Sequence, residues 1–358
     1  MDTIHSDGYP IYFTNVTGEL IKFIQEGGYS RFFVLTDEHT SVHCLPLLKD
    51  EFDTLGNYDL IEINAGEESK DIDFCIGIWR TLVDFEADRK ALMVNLGGGV
   101  VTDMGGFAAS TYKRGIDFVH VPTTLLSQVD ASVGGKTGID VEGIKNIIGT
   151  FTQPKAVFID VDFLKTLPER QILSGLAEML KHGLILDAAY WQQLKNSDLA
   201  KPSADLIHHS VVLKNNVVLE DPKEKNIRKS LNFGHTIGHA VETWSLKNDS
   251  NPLTHGEAIA LGMICESYLA HKRSGLKAEE LEEIVTVFDS HYPRYKYSQD
   301  IYEELYGIMM KDKKNIDGKV NCTDGKVNCT LLSAIGQFTI DNLCTKEELF
   351  EALDYYRS

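Results

Sequence analysis

Short apolar runs and helical apolar stripes alternate along the N-terminal part of the chain. The spacing of apolar positions at 17–26 and 70–86 predicts amphipathic helices. Four apolar runs predict buried strands, at 31–36, 59–63, 91–96 and 117–121. This alternation of strands with helices predicts a largely parallel sheet that is covered by helices on both faces.

After a last strand-like run at 156–160, the pattern becomes helical almost to the end. Pro168 suits the first turn of a helix whose apolar side includes Leu176 and Leu180. Further stretches have the same period, at 203–221, 255–274, 277–289 and 299–311. The predicted fold is therefore an α/β, Rossmann-like domain with a largely parallel sheet at 1–153, followed by a mostly α-helical domain at 154–358.

The heptapeptide DGKVNCT occurs twice in tandem, at 317–323 and 324–330. Seven residues are too few for one unit of a solenoid. Because Asp-Gly before β-prone residues is typical of a hairpin turn, the repeat predicts two competing turns. We interpret the duplication as a lengthening of a surface hairpin.

The charge of the chain limits its partners. A formal net charge of −18 disfavours nucleic acid and anionic membranes. No apolar run approaches the roughly 20 residues of a membrane helix, and the N-terminal residues lack the features of a secretory signal. We therefore expect a cytoplasmic protein. Cationic residues that gather around motifs in so acidic a chain would serve a small anion.

A glycine-rich turn follows the strand-like run at 91–96. Gly97–Gly99 and Asp103 form a GGGxxxD pattern, which would let backbone N–H groups approach a pyrophosphate. The pattern differs from GxGxxG, so a tight turn is the alternative interpretation. Polar residues also follow the other predicted strands, namely Asp37, the run Gly66–Lys70, and Thr123 with Thr124. Since ligands bind beyond the carboxyl ends of parallel strands, these clusters favour a nucleotide site.

Histidines and one glutamate predict a metal site in the second half. His235 and His239 are four residues apart on a helix, so both can face one cavity. His255 opens a further helix, and Glu178 lies on the helix after Pro168. Two or three imidazoles with a carboxylate match a catalytic zinc-like site. Hydrogen-bonded core histidines are the alternative.

Several long blocks resemble the signature blocks of the 3-dehydroquinate synthase family, in the same order. The resemblance extends over roughly residues 30 to 340, and its blocks read GEESK, GGGVVTDMGGF, VPTTLLSQVDASVGGKTGID, KNIIGTFTQP, LAEMLKHG, LNFGHTIGHAVE and HGEAIALGM. It implies a dehydroquinate synthase-like fold, NAD and one divalent metal (zinc or cobalt) as cofactors, and a homodimer.

The resemblance also implies roles for individual residues. Glu178, His235 and His255 would bind the metal, whereas His239 would face the substrate. The residues implied to contact NAD are Asp37, Glu67, Lys70, Gly98, Gly99, Asp103, Thr123, Thr124, Lys145, Phe163 and Thr166. Those implied to contact the substrate are Asp130, Lys136, Asn146, Lys181, Lys214, Arg228, Asn232, His239 and Lys314, while Arg114 would reach the partner subunit's site.

The implied reaction converts 3-deoxy-D-arabino-heptulosonate 7-phosphate to 3-dehydroquinate and phosphate in the shikimate pathway. A ring hydroxyl is oxidised transiently, phosphate is eliminated, the ketone is reduced again, and an intramolecular aldol step closes the carbocycle. One alternative is a sister sugar phosphate cyclase, but Lys214 and Arg228 would then lack a substrate carboxylate to pair with. A metal-dependent polyol dehydrogenase would lack the phosphate-binding Lys136, Lys145 and Asn146. A non-catalytic binding protein is disfavoured because every expected polar group is present.

Overall fold

The computed structural model describes residues 1–13, 16–56, 58–141, 144–311 and 325–358, without the side chain of residue 144. The described chain forms two compact units. The first comprises Met1–Pro168 with Ile207–Asn215, and the second comprises Glu169–Leu206 with Asn216–Ser358. The domain boundary expected at 153/154 stays a prediction, as does the assignment of each domain to one ligand.

The first unit is built on a seven-stranded sheet with the order β1-β2-β9-β6-β5-β3-β4. All of its pairings are parallel except that of β1 with β2. Its strands are β1 (Ile4–His5), β2 (Pro10–Tyr12), β3 (Phe32–Asp37), β4 (Tyr58–Ile63), β5 (Leu92–Gly97), β6 (Asp117–Pro122) and β9 (Val157–Phe158). The helices are α1 (Val16–Glu26), α2 (Glu38–His43), α3 (Lys49–Leu55), α4 (Ile72–Asp84) and α5 (Gly99–Thr111). This architecture confirms the largely parallel α/β sheet.

Strands β3, β5 and β6 are buried on both sides because helices cover both faces of the sheet. Phe33 and Leu35 of β3 pack into one core with α4 and α5. Phe32 and Val34 of the same strand pack into a second core with α1 and α3. This double burial explains why the strands read as continuous apolar runs and not as alternating ones.

An antiparallel hairpin in the first unit was absent from the sequence prediction. It consists of β7 (Lys136–Val141) and β8 (Ile144–Phe151). Ile147, Ile148 and Phe151 are exposed, so the segment lacks the regular inside-outside alternation that marks a strand.

The second unit is mostly helical, as the sequence predicted. Its helices are α6 (Glu169–Leu186), α7 (Ala188–Lys195), α9 (His235–Asn248), α10 (His255–Arg273), α11 (Ala278–His291), α12 (Tyr302–Lys311) and α13 (Lys346–Arg357), while α8 (Ala204–Glu220) contributes residues to both units. Within the described ranges, no helix combines the length and apolar character needed to cross a membrane.

The second unit also contains an antiparallel hairpin, which begins within the heptapeptide repeat. It consists of β10 (Val327–Ala334) and β11 (Gln337–Cys344). The second heptapeptide copy contributes Val327 to Thr330 to β10, and the chain turns at Gly336, where φ is +82°. The turn between β10 and β11 thus does not use the second Asp-Gly, and because Asp324 lies outside the described residues, the turn predicted there stays a prediction. The first copy lies outside the described residues.

Deletion of residues 324–330 tests the importance of the repeat. Because the two copies are identical, the sequence KVNCT still directly precedes the buried Leu331 in the shortened chain. Strand β10 can therefore form from the remaining copy. We expect activity within a few-fold of the parent, since a shorter loop changes the closure free energy by less than about 1 kcal/mol. The thermal unfolding midpoint and the turnover rate provide the measurement. A large loss of turnover with normal NAD and metal binding would show that the extra seven residues shape the active site.

Candidate functional site

A buried carboxylate and two imidazoles converge in the second unit. Glu178 lies on α6, while His235 and His255 are the first residues of α9 and α10. The Nε2 atoms of both histidines lie 3.6 Å from the Glu178 Oε1. The three ligand atoms all lie within 4.8 Å of one another. The structure therefore brings together the three residues that the resemblance assigned to the metal.

The ring orientation of both histidines is fixed by hydrogen bonds on the opposite nitrogen. The His235 Nδ1 donates to the Phe233 carbonyl at 3.0 Å. The His255 Nδ1 donates to the Glu242 Oε2 at 3.4 Å. With Nδ1 as the donor, Nε2 carries the lone pair that a metal needs, which is the usual outer-shell pattern of histidine ligands.

This donor set fits a divalent metal. One carboxylate and two imidazoles are the protein ligands of many catalytic zinc sites, and cobalt accepts the same set. Glu178 is fully buried, and its other oxygen, Oε2, pairs with the Lys181 Nζ on the same helix. Such a buried charge needs compensation, which Lys181 supplies. Lys181 therefore lies at the candidate metal site, beside the residue that would bind the metal.

The electrostatics of the site bear on His255. Burial lowers the pKa of His255, but the carboxylates of Glu242 and Glu178 outweigh this effect and raise the pKa to about 9. The imidazole is therefore protonated at neutral pH in the metal-free protein. A metal must displace that proton when it binds.

A second candidate triad shares His255. The ligand atoms of His239, Glu242 and His255 also lie within 4.8 Å of one another. The His239 ring centroid lies 5.0 Å from that of His235. The geometry is therefore also compatible with His239 as a metal ligand, as its spacing from His235 suggested. The assignment of His239 to the substrate stays a prediction.

Local contacts hold the helices that carry the three ligands. Ser174, one turn before Glu178 on α6, accepts the Gly256 N–H at 3.0 Å. A side chain at Gly256 would collide with the Ser174 backbone, so glycine permits this close approach. The start of α10 has a capping box formed by Thr254 and Glu257. Sequence reasoning missed Ser174 and Glu242, although a glutamate one turn after His239 was a usable signal.

In the first unit, several of the predicted NAD residues lie along one edge of the sheet. The parallel strands β3, β4, β5 and β6 end at this edge. Asp37 ends β3, and Gly98 lies between β5 and α5. A Cβ at Gly98 would lie 3.0 Å from the Thr124 Cγ2, which follows β6. The structure therefore brings these strand-end clusters together.

The glycine turn lies at the switch point of the sheet. After β3 the chain continues to β4 on one side, whereas after β5 it continues to β6 on the other. Helix α3 after β3 and helix α5 after β5 consequently pack on opposite faces. A crevice at such a point is the usual nucleotide site of open α/β sheets, and the first turn of α5 directs N–H groups toward it.

Charged residues beyond β4 form a connected group in the first unit. The buried Lys70 Nζ lies 2.6 Å from the Asp103 Oδ2 of α5. The Lys145 Nζ lies 3.3 Å from the Glu67 Oε1. Burial lowers the pKa of Lys70, but Asp103 and Glu67 outweigh this effect and raise the pKa above its usual value, so the ammonium stays charged.

Two predicted substrate residues also pair in the first unit. The Lys214 Nζ lies 2.7 Å from the Asp130 Oδ1 and contacts the Asp130 carbonyl. Asn146, which has a φ of +50°, donates its N–H to the Asp140 Oδ1 at 2.6 Å. Lys136 is exposed at the start of β7.

The remaining predicted residues occupy varied environments. Phe163 is buried in the core beneath the sheet, and Thr166 ends the same short 3-10 helix. Arg114 is exposed, and its φ of +69° is unusual for a residue with a side chain. Thr123 is buried directly after β6, and Lys314 lies outside the described residues. Their roles stay predictions.

In the second unit, Arg228 and Asn232 lie on one short helical segment. Arg228 is 2% exposed, and its guanidinium donates to the Pro222 carbonyl at 2.7 Å. The Asn232 side-chain amide donates to the Glu224 Oε1 at 2.8 Å. These contacts fix the side chains of Arg228 and Asn232. The role of both residues in substrate binding stays a prediction.

A parallel α/β sheet with a glycine turn at its switch point and a cluster of one glutamate with two histidines are together typical of nucleotide- and metal-dependent enzymes. Family models described as 3-dehydroquinate synthase N-terminal and 3-dehydroquinate synthase C-terminal match residues 60–174 and 175–315. The chain belongs to the 3-dehydroquinate synthase family. It is 42% identical over 347 residues to a 3-dehydroquinate synthase of Parabacteroides distasonis, covering 96% of each chain. It is 40% identical over 292 residues to one of Helicobacter pylori, covering 82% of each.

Solved structures of related cyclases have the same fold. A 2-deoxy-scyllo-inosose synthase complexed with carbaglucose-6-phosphate, NAD+ and Co2+ matches with a TM-score of 0.87 at 23% identity, covering 98% of this chain and 99% of the other. A 2-epi-5-epi-valiolone synthase of Streptomyces hygroscopicus subsp. jinggangensis, with NAD+ and Zn2+ bound, matches with a TM-score of 0.84 at 26% identity, covering 99% and 98%. A probable glycerol dehydrogenase of Sinorhizobium meliloti matches less well, with a TM-score of 0.62 at 15% identity, covering 99% and 98%.

Variants of the two triads decide which one binds the metal. We expect Glu178→Gln and His235→Ala to abolish bound metal, because each removes a ligand that the other triad cannot replace. His239→Ala should retain the metal and lose turnover. Metal content after dialysis and circular dichroism provide the measurements. If His239→Ala loses the metal while Glu178→Gln keeps it, the triad of His239, Glu242 and His255 is the metal site.

Proposed function

We propose that the chain converts 3-deoxy-D-arabino-heptulosonate 7-phosphate to 3-dehydroquinate and phosphate, as a carbon–oxygen lyase that uses NAD and zinc or cobalt. The observation that carries the proposal is the converging triad of Glu178, His235 and His255, in a chain about 40% identical to 3-dehydroquinate synthases. The switch-point glycine turn supports NAD as the nucleotide.

When bound, NAD would accept a hydride and return it, and a zinc or cobalt ion would act as a Lewis acid that polarises substrate oxygens. Glu178, His235 and His255 would hold the metal. Lys181, whose ammonium already pairs with Glu178, would donate to a substrate oxygen at the same place. The implied nucleotide contacts would come from the first unit, with Asp37 at a ribose and Gly98 at the pyrophosphate.

The remaining polar residues would bind the two anionic groups of the substrate. We assign the phosphate to Lys136, Asn146, His239 and Lys314. We assign the carboxylate to Lys214, Arg228 and Asn232, through charge-assisted hydrogen bonds. The departing phosphate takes the proton from the adjacent carbon, so these residues need only hold the substrate for elimination and ring closure.

The buried Arg228 supports a substrate with a carboxylate over the substrates of sister cyclases. Its guanidinium is held by the Pro222 carbonyl, and a guanidinium recognises a carboxylate through charge-assisted hydrogen bonds. Lys136, Lys145 and Asn146 support a phosphorylated substrate over a simple polyol. The sister-cyclase and polyol dehydrogenase functions remain the two alternatives to test.

We further propose a cytoplasmic homodimer in which Arg114 reaches the site of the partner subunit. The exposed position of Arg114 and its left-handed backbone, at φ +69°, support a role outside its own unit. The net charge of −18 supports a small anion, and not nucleic acid, as the partner of the clustered cations.

Turnover of NAD distinguishes a cyclase from a dehydrogenase. With the heptulosonate phosphate, a divalent metal and a trace of NAD, we expect many equivalents of phosphate per NAD and formation of dehydroquinate. The absorbance of NADH should not rise lastingly, because the hydride returns to the substrate. Stoichiometric accumulation of NADH without phosphate release would favour a polyol dehydrogenase.

Replacement of Arg228 tests the recognition of the carboxylate. We expect Arg228→Ala to lower kcat/KM by roughly ten- to a hundred-fold, since a lost charged hydrogen bond is worth on the order of 1.5–3 kcal/mol. Arg228→Lys should lose less of its kcat/KM, because lysine keeps the positive charge but lacks the planar guanidinium that binds a carboxylate through two hydrogen bonds. NAD and metal affinity should not change in either variant.

A substrate analogue with an esterified carboxylate completes the comparison. The parent should discriminate strongly against it, whereas Arg228→Ala should discriminate clearly less, because only Lys214 and Asn232 remain to bind the carboxylate. The difference between the two proteins isolates the pairwise term. If both proteins discriminate equally, Arg228 does not contact the carboxylate, and a sister-cyclase substrate becomes the better assignment.

A further inference from the structure

Each of the two helices that begin with a histidine ligand carries a buried carboxylate that contacts the start of the other helix. Glu266 of α10 is fully buried, and Glu242 of α9 is 3% exposed. An ionised carboxylate at such burial is costly unless hydrogen bonds compensate it. The partners of these two carboxylates therefore indicate what they stabilise.

Glu266 accepts backbone N–H groups at the start of α9. Its Oε2 accepts from Gly234 at 2.6 Å, and its Oε1 accepts from Thr236 and Ile237 at 3.1 and 3.2 Å. N–H groups in a first helical turn have no partner within their own helix. The N-cap residue is Gly234, with a φ of +78° and no side chain to cap the helix. Glu266 thus caps α9 from another helix and holds the backbone on both sides of His235.

Glu242 contacts the other histidine directly. It lies on α9 with His235 and His239, at positions 235, 239 and 242, which share one helix face. Its Oε2 accepts from the His255 Nδ1 at 3.4 Å, while the His255 Nε2 lies 3.6 Å from Glu178. Glu242 therefore sets both the tautomer and the direction of this ring.

We propose that Glu242 and Glu266 are reciprocal positioning residues, each of which holds the histidine ligand of the opposite helix in place for the metal. The inference rests on the proposed function only in placing the metal at Glu178, His235 and His255. It assigns no chemical step to either carboxylate. It predicts instead that their loss weakens metal binding and distorts the metal geometry.

The test is a titration of the metal-free protein with Co2+ alone, without NAD or substrate. Outer-shell partners of histidine ligands typically contribute about 10- to 100-fold to metal affinity. We expect Glu242→Ala and Glu266→Gln each to raise the Kd for Co2+ by such a factor and to change the visible absorption of the bound ion. Glu242→Gln should lose less Co2+ affinity than Glu242→Ala, because the amide oxygen of glutamine can still accept the Nδ1 hydrogen of His255.

Two control variants remove contacts of the same kind at other places in the second unit. Glu283→Ala removes a carboxylate that accepts the Trp191 ring N–H at 2.7 Å. Asp187→Ala removes a side-chain cap that accepts backbone N–H groups of Ala189 and Tyr190 at 2.9 and 3.0 Å. Both should lower the thermal unfolding midpoint while leaving the Co2+ affinity and spectrum unchanged. If Glu266→Gln does not fold, Glu266→Asp, which keeps the charge but shortens its reach, replaces it in the titration.

The outcomes separate this inference from the proposed function. Co2+ affinity and absorption within two-fold of the parent in Glu242→Ala and in the Glu266 variant would overturn the positioning role, whatever the turnover. Complete loss of Co2+ in Glu242→Ala, with Co2+ retained in Glu178→Gln, would overturn it as well, because Glu242 would then be a ligand. If the parent binds Co2+ as expected and the variants weaken it, but no dehydroquinate forms, the proposed function fails and the positioning role stands.

Discussion

The negative charge of Glu178 is the constraint around which the second unit is organised. Its carboxylate has no exposure to water, so positive charge or hydrogen-bond donors must lie beside it. Lys181 pairs with one oxygen, and the Nε2 atoms of two histidines approach the other at 3.6 Å. A divalent cation at this position would balance the carboxylate. The burial of Glu178 therefore links the stability of the helical unit to its capacity to bind a metal.

The precision of this cluster comes from helix ends. His235 and His255 are first residues of their helices, where the backbone is the least constrained by intrahelical hydrogen bonds. Glu266 restrains the first of these ends, and the capping box of Thr254 with Glu257 restrains the second. Buried polar networks of this kind stabilise one arrangement only when every member is satisfied. The hydrogen bonds at the two helix starts therefore restrain the backbone that carries His235 and His255.

Much of the first unit could be predicted from sequence, because strands buried on both faces leave apolar runs that stand out between helices. The strand-end positions of Asp37 and Gly98 followed from the same pattern. The hairpin β7–β8 could not be predicted, since its exposed Ile147 and Phe151 break the alternation of a half-buried strand. The repeat predicted a hairpin in the region of β10, but the turn between β10 and β11 at Gly336 lacks an Asp-Gly signal and could not be placed from sequence.

The metal site shows the limit of spacing arguments. A separation of four residues pairs His235 with His239, yet the structure also pairs His235 with Glu178 and His255, which are distant in sequence. Only tertiary packing brings α6, α9 and α10 together, and family resemblance, not spacing, anticipated the result. Glu266 gave a weak signal, as the one acid in the largely apolar stretch from Ala258 to Ala270.

Anomalous X-ray diffraction from crystals soaked in zinc tests the metal assignment most directly. This assignment predicts one strong peak between the Glu178 carboxylate and the Nε2 atoms of His235 and His255. A peak among His239, Glu242 and the Nδ1 of His255 instead would contradict it.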